Sequence, residues 1–327
     1  MQDPTYLIEE RYWEPTQRIN VMPRLENMTE FLGILDKLPP LKQKFKGGIF
    51  GHFLNLNFKN FPSKIMHHLV LRRVPSGKKQ LRFNIQGREM SFGEEEFAIV
   101  TGLNFGPFPN SDLEDSPTSK KLLQRFFPGK EKIRLTDLKS VLNSTISNSP
   151  VSCSLEELLL LTNLYFLEAF LLPRAETIFV ETKHVLVASC EEWFNNYPWG
   201  SVVFTETLSY FESSLKSIMT YKTAYSLSGF PHAVLAWAFE TIPILHVNGF
   251  VEKNKKTFLQ RVLNWVYDGS SSFKMLNTVV FENSQVCKKF LTGCNFLITL
   301  SKFSYLQFLF LLQFNFIPLR ATKKDKA

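Results

Sequence analysis

Apolar residues recur at helical spacing along most of this chain and alternate strictly in one place only. Phe31, Ile34, Leu35 and Leu38 share one face of a helix from Met28 to Leu38. Pro39-Pro40 stops it, because proline lacks the amide and clashes with the preceding turn. Ile65, Met66, Leu69, Val70 and Arg73 fit one face of a second helix, with Pro62 and Ser63 at its start. Between the two, Gly47-Gly48-Ile49-Phe50-Gly51-His52-Phe53 reads as a flexible lead into Leu54-Asn55-Leu56. Residues 1 to about 30 are polar, with spaced Pro4, Pro15 and Pro23. Together 1–45 read as an N-terminal arm with one short helix.

The alternating stretch is Leu81-Arg82-Phe83-Asn84-Ile85, which turns at Gln86-Gly87 and returns as Arg88-Glu89-Met90-Ser91-Phe92. Period-two patterning on both sides predicts a hairpin near 81–92. A helix follows, with Ser91 and Glu94 as a capping pair, Glu94, Glu95 and Glu96 at the positive end of its dipole, and Gly102 as its stop. Asn104 to Ser119 reads as loop, Leu122 to Phe127 and Arg134 to Leu142 as helices, and Asn143 to Ser152 as a polar connector.

Ser154 and Glu157 form a second capping pair and open a helix from Leu155 to Leu172 that is apolar nearly all round. Glu156, Glu157 and Glu168 make membrane insertion costly, so the spacing favours a central core helix near 155–172. Further helices are predicted at Lys183 to Phe194, Thr205 to Ile218 and Pro231 to Thr241, the last stopped by Pro243. Two aromatic turns, Phe194-Asn195-Asn196-Tyr197-Pro198-Trp199-Gly200 and Tyr225-Ser226-Leu227-Ser228-Gly229-Phe230-Pro231, set angles between helices. The fold class is therefore mainly α with a small antiparallel β-hairpin (α+β), a compact helical domain over 46–250 with a C-terminal extension over 251–285.

From Cys287 to Leu319 the chain is dominated by Phe and Leu, with few charges beyond Lys288, Lys289 and Lys302. Phe303 to Leu319 is interrupted by Ser304, Gln307, Gln313 and Asn315, and sits near the lower limit of about 17 residues for a membrane span. Three readings of 286–319 stand side by side: a membrane anchor through 303–319, an ordinary buried helix or strand pair, and translated uridine-rich intron beginning at Val286, whose codon starts with GT. On the last reading Pro318 to Ala327 resumes the coding frame. A basic end, 320–327, follows.

Composition narrows the classes. The 327 residues include 32 Phe, which argues against disorder. The net charge of +8 is dilute, with Arg72-Arg73 and Lys78-Lys79 offset by Glu94-Glu95-Glu96. It gives weak, salt-sensitive attraction to polyanions and specifies no groove. Met1-Gln2-Asp3-Pro4 lacks the pattern of a signal peptide, so Cys153, Cys190, Cys287 and Cys294 are expected to be reduced thiols in a nuclear or cytoplasmic protein.

The sequence motifs of reactive sites are missing. The glycines at 47, 48 and 51 lack the spacing of a phosphate loop, and there is no G-x-S-x-G elbow, H-E-x-x-H pair or CxxC. His67 and His68 are adjacent, cannot share a helical face as ligands, and read as surface or core-edge histidines. His184 and Cys190 suggest a Cys–His couple, but six residues apart in one helix they point to different faces, so Cys190 reads as a packed thiol. Glu191-Glu192 read as solvated charge, and Trp193, Tyr197, Trp199 and Trp237 as core or turn packing rather than base-stacking platforms. No catalytic, cofactor-binding or metal-binding residue is assigned: the expected sites are none, the cofactors none, and no small-molecule ligand is expected.

Six motifs in order carry a resemblance. They are Phe50-Gly51-His52-Phe53-Leu54, His67-His68-Leu69-Val70-Leu71-Arg72, Glu96-Phe97-Ala98-Ile99-Val100-Thr101-Gly102-Leu103, Tyr165-Phe166-Leu167-Glu168, Phe194 to Gly200, and Gly229-Phe230-Pro231 with Trp237-Ala238-Phe239-Glu240. Together they closely resemble the plant domain of unknown function nineteen-eighty-five, over roughly Phe50 to Pro243. The hairpin and the helix after it also resemble, more weakly, the plant mobile domain of transposon-related proteins. The first resemblance implies a setting N-terminal to a Ulp-type, SUMO-protease-like cysteine peptidase in polypeptides linked to Mutator-like transposable elements. It supplies no active-site residue. It also implies that the region of Phe281 joins directly to Pro318-Leu319-Arg320, in line with the intron reading. The expected function is a non-enzymatic, transposon-derived helical module that binds an unknown protein partner. The alternatives are an N-terminal fragment of a Ulp-type peptidase polypeptide lacking its catalytic domain, and a weak nucleic-acid-binding accessory domain.

Overall fold

Rings from four separate parts of the chain converge on Phe166. In the computed structural model its ring lies 5.0 Å from Phe31, 5.3 Å from Phe45, 5.5 Å from Phe50, 5.9 Å from Phe53 and 5.5 Å from Phe170. The structure describes residues 6–13, 16–77, 79–109, 120–147, 153–174, 178–269 and 271–282. The expectations for 286–319 and 320–327 lie outside the described residues. The chain divides into two compact units, Met1–Phe281 and Glu282–Ala327, and the described helices and strands all belong to the first.

Phe166 ends helix α7 (Leu155–Phe166), which opens with the Ser154 hydroxyl accepting from the Glu157 amide at 3.1 Å, as the capping pair predicts. The helix continues as a π turn, Leu167–Leu171, and stops at Pro173. Leu161, Leu164, Phe166, Leu167 and Leu171 are wholly buried, so this element is the core helix its apolar circumference called for. Among the described residues no helix is long and apolar enough to cross a membrane.

α1 (Leu25–Asp36) and α2 (Pro39–Gly47) both pack near it. The prolines expected only to stop α1 also begin α2, because the first turn of a helix has no use for the missing amide and proline's φ is already helical. The expected flexible lead at Gly51 is instead a 3-10 turn, Gly51–Asn55, packed so closely that a Cβ at Gly51 would lie 2.1 Å from the Lys46 carbonyl oxygen.

α3 (Ser63–Leu71) follows Pro62, as expected. The hairpin is β4 (Gln80–Ile85) and β5 (Arg88–Gly93), antiparallel, with a short third strand β3 (Arg73–Val74) on the β4 side. Gln86 and Gly87 both take positive φ, 56° and 75°, the mirror-image turn whose twist matches the strands. Helix α4 (Glu94–Thr101) starts two residues later than the Ser91–Glu94 pairing implied. Ser91 is still in the strand, and the Glu96 carboxylate accepts from the Gly93 amide at 2.8 Å. Gly102 ends the helix with φ 72°, as expected.

α5 (Lys121–Phe126) and α6 (Leu135–Ser147) lead to α7. The single helix expected from Lys183 to Phe194 is two: α8 (Thr182–Val187) and α9 (Glu191–Asn196), with Cys190 as the cap of the second. α10 (Trp199–Met219) begins well before the expected Thr205. Its first turn holds Gly200, whose amide donates to the Asn104 carbonyl at 2.8 Å, and a Cβ there would lie 2.3 Å from the Phe105 ring. The close approach of the 104–105 loop therefore requires glycine.

The second aromatic turn is partly strand. β6 (Ala224–Leu227) pairs in parallel with β1 (Arg18–Val21), so the polar N-terminal arm is pinned into the fold at 18–21. A four-residue strand is too short to announce itself by alternation, and its partner lies far along the chain. α11 (His232–Thr241) and α12 (Ile244–Val247) complete the core, and β2 (Asn57–Phe58), β8 (Trp265–Tyr267) and β7 (Glu252–Lys253) form a small mixed sheet in that order. The last element is α13 (Phe273–Leu276) with a π turn, Asn277–Phe281. The architecture is mainly helical with small sheets, the antiparallel hairpin among them, as the patterning predicts.

Two glycines test this packing in opposite directions. Gly33 is an exposed position in α1 with nothing within 4 Å of an added Cβ, so Gly33→Ala should raise stability by about 0.5–1 kcal/mol. Gly200→Ala should lower it by about 1–3 kcal/mol through overpacking against Phe105 and Asn104. Urea-unfolding midpoints of the two variants measure both signs.

Candidate functional site

The π turn at the end of α7 carries Glu168 into the interior, where its side chain is 5% exposed. An acid at that depth needs a partner. α8 supplies it: His184 Nδ1 lies 2.5 Å from Glu168 Oε1, and the His184 side chain is 3% exposed. The other ring nitrogen, Nε2, faces Glu181 Oε2 at 3.5 Å. Arg174 joins Glu181 at 2.5 Å and Glu206 of α10 at 3.5 Å, and the Trp199 ring stands edge-on to the imidazole at 5.3 Å. Burial is the largest influence on Glu181 and pushes its pKa up. The Arg174 hydrogen bond and the charges of His184, Arg174 and Lys183 outweigh it and hold the carboxyl below the usual range. For Arg174, burial works against the charge, and the Glu181 bond with the fields of Glu206, Glu181 and Glu168 raises its pKa in spite of it.

A carboxylate behind an imidazole is the arrangement that orients a general base. Neither cysteine among the described residues supplies a nucleophile to it. Cys190, at the start of α9, is neither in the helix of His184 nor joined to it by any described contact, so the one-helix geometry expected for this pair is replaced by two helices. Cys153, the other described cysteine, has its thiol pushed up to about 11, by burial first and then by the Glu157 charge, which is the reverse of what an attacking thiolate needs.

Three of the remaining imidazoles, His67, His68 and His232, are also buried, and His52 and His246 are half-buried. His67 and His68 were expected at the surface or the core edge, yet they are 2% and 0% exposed, because both sides of α3 are covered. His67 Nδ1 meets the Tyr225 hydroxyl at 3.0 Å, and His68 is sandwiched by Phe273 and Phe281. His52 Nε2 donates to the Thr101 carbonyl at 2.8 Å, while burial lowers its pKa to about 4. His246 Nδ1 lies 3.1 Å from the Val251 carbonyl. His232 is the outlier: neither nitrogen has a hydrogen-bond partner, and the ring sits among Phe58, Phe61, Phe170 and Phe230 at 5.2 to 6.3 Å. Burial alone lowers its pKa to about 3.

Tyr197, Trp199 and Trp237 are buried, as packing predicts, while Trp193 is half-buried. Glu94, Glu95 and Glu96 occupy the first turn of α4, and Glu191 and Glu192 the exposed first turn of α9. Among the described residues no group of three or more His, Cys, Asp or Glu is placed to hold a metal ion. Sequence reasoning missed the Glu168–His184 pair. The available signal was Glu168 itself, a lone acid past the middle of an apolar helix.

Residues 70–210, from the end of α3 into the middle of α10, match the family described as Domain of unknown function (DUF1985). The chain carries a DUF1985 domain. The matched span is narrower than the Phe50 to Pro243 of the motif resemblance. It holds the Glu96–Leu103, Tyr165–Glu168 and Phe194–Gly200 motifs together with both Glu168 and His184. No curated protein and no solved structure matches the chain.

Removing one partner of the buried pair strands the other in a medium of low polarity. Glu168→Ala should cost about 3–5 kcal/mol in urea unfolding, His184→Ala a similar amount, and the double variant clearly less than the sum. Additive losses would show that the two groups act separately.

The orphaned imidazole of His232 predicts acid sensitivity. Its pKa lies near 3 when folded and near 6.5 when exposed, so the unfolded chain takes up the proton first. Stability is fully present above about pH 6.5 and is lost as the pH falls from there towards 3, by roughly 1.4 kcal/mol per pH unit well below 6.5. Unfolding free energies between about pH 7 and pH 5 should fall for the wild type. His232→Phe should reduce the slope without abolishing it, since His52 and His68 remain.

Proposed function

We propose that this DUF1985 protein is a non-enzymatic helical interaction module, derived from a plant transposable-element gene, that works in the nucleus or cytoplasm through a protein partner and without a cofactor. One observation carries the reading: among the described residues, three buried imidazoles able to do acid–base chemistry are engaged by other side chains of the fold. His184 faces Glu168 and Glu181, His67 meets Tyr225, and His68 meets Arg72 and the Phe273 carbonyl. A general base needs a ring nitrogen within reach of a substrate proton. In His184, His67 and His68 at least one ring nitrogen is taken up by such a partner.

The plant and transposable-element parts of the proposal rest on the motif resemblance, as does the second reading, in which the chain is the N-terminal part of a Ulp-type peptidase polypeptide whose catalytic residues lie in another domain. The dilute charge of +8 motivates the third, a weak nucleic-acid-binding accessory domain. Membrane attachment through 303–319 stays an alternative for location.

Two assays on the purified chain separate these readings. Incubation with a SUMO–peptide fusion should give no cleavage above background, and cleavage abolished by Cys190→Ala would overturn the non-enzymatic reading. Fluorescence anisotropy with single-stranded and duplex oligonucleotides at low salt should give no saturable binding. Saturable binding that weakens steeply with added salt would establish the nucleic-acid reading instead.

A further inference from the structure

The last segment of the first compact unit, Phe273 to Phe281, is held on α3 by two side chains that share one hydrogen bond. The His68 ring lies flat between Phe273 at 3.8 Å and Phe281 at 4.5 Å. Arg72 Nη1 lies 3.0 Å from His68 Nδ1, and a guanidinium can only donate, so Nδ1 is the unprotonated nitrogen. The proton sits on Nε2, which donates to the Phe273 carbonyl at 3.0 Å. Arg72 Nη2 donates to Asn277 Oδ1 at 2.8 Å, and the guanidinium lies over the rings of Trp13 and Phe281 at 4.8 and 4.6 Å. From the hairpin turn, Gln86 donates to the Val280 carbonyl.

We infer that His68 and Arg72 form a proton-sensitive latch: protonation of the imidazole releases residues 273–281 from α3 while the core of the unit stays folded. A proton on Nδ1 removes one of the acceptors that Arg72 uses and places two cations at hydrogen-bond distance in a fully buried site. Among the described residues, the charges that act on the ring are Arg72 and, beside it on α3, His67, whose own Nδ1 meets the Tyr225 hydroxyl. The segment packed against the ring presents two phenyl rings and the Phe273 carbonyl, and Trp13 covers Arg72 from the N-terminal side. Burial, then Arg72, then His67 lower the pKa of the imidazole to about 3, against one opposing bond to the Phe273 carbonyl. The segment is the terminal element of its unit, a four-residue helix and one π turn, so its release leaves the rings around Phe166 in place.

Opening lets the imidazole recover its ordinary basicity, so acid favours the open form. With values of about 3 closed and 6.5 open, the opening equilibrium rises about tenfold between about pH 7.5 and pH 5.5. Hydrogen exchange of the intact chain followed by mass spectrometry, corrected for intrinsic rates, reads this directly. Protection of the 276–281 amides should fall about tenfold over that range while α11 stays protected, and His68→Phe, which keeps a flat ring between the phenylalanines, should remove the pH dependence. Protection of 276–281 that does not change with pH overturns the latch, as does a loss that appears only together with α11 or persists undiminished in His68→Phe. If that variant does not fold, the wild-type comparison of 276–281 with α11 decides by itself.

Discussion

A helix that is apolar around its whole circumference has to be covered on every side, and that constraint organises the first unit. α7 and its π turn present Leu161, Leu164, Phe166, Leu167 and Leu171 in different directions, all wholly buried. α2 and α6 pack on the helix and α1 on its π turn, while Phe50 and Phe53 close over it from the 3-10 turn. Phe170 and Phe53 pass the cluster on to Phe230 at 5.8 and 5.3 Å, just before α11. Burying one such ring contributes roughly 1.5–3 kcal/mol and each ring pair about 0.5–1.5 more, so no polar contact in the unit competes with the cluster as a driving force.

Ring contacts are strong but permissive. A phenyl ring tolerates a small slide against its neighbours, and a hydrogen bond inside the core does not. Several buried or half-buried polar side chains lie where two elements must hold a fixed relation. Asn27 of α1 donates to the Ala169 carbonyl in the π turn at 2.9 Å, and Glu168, one residue earlier, is held by His184. Arg73 of β3 donates to the Phe211 carbonyl at 3.0 Å and to Glu212, tying the hairpin sheet to α10. The Thr207 hydroxyl accepts from the Phe230 amide at 2.8 Å, fixing α10 against the entry to α11. The π turn is thus a widened turn made useful: it brings Glu168 to α8 and leaves the Ala169 carbonyl open to Asn27.

What could be read from the sequence depends on the range of each interaction. The 154–172 helix with its Ser154–Glu157 cap, the Gln86-Gly87 hairpin, the Gly102 stop and the Pro231 start all depend on residues within about one turn of each other, and all are present to within a residue or so. Features set by distant partners were not legible. The strand at 18–21 exists because 224–227 lies beside it, and α10 extends back to Trp199 because Gly200 receives the 104–105 loop. The break between α8 and α9 leaves Cys190 as a cap and takes it away from His184, although helical spacing through that region looks continuous. The same holds for the site: Glu168 was visible as an acid in an apolar helix, but nothing local identified His184 as its partner.

The abundance of rings also explains how this fold treats its histidines. In a core made largely of Phe, an imidazole is close to another flat ring in shape, and His52, His68 and His232 are each packed against phenylalanines, at 4.2, 3.8 and 5.2 Å for their closest rings. Burial is the leading cause of the lowered pKa in all three, and it prevails whether the ring has a carbonyl acceptor, as in His52 and His68, or no partner at all, as in His232. Their location, more than their hydrogen bonding, therefore sets their response to acid. His184 is placed differently, with a carboxylate on each side and one tryptophan edge. The fold thus contains two kinds of buried histidine. One is packed among rings, where burial lowers its pKa, and the other is flanked by two carboxylates.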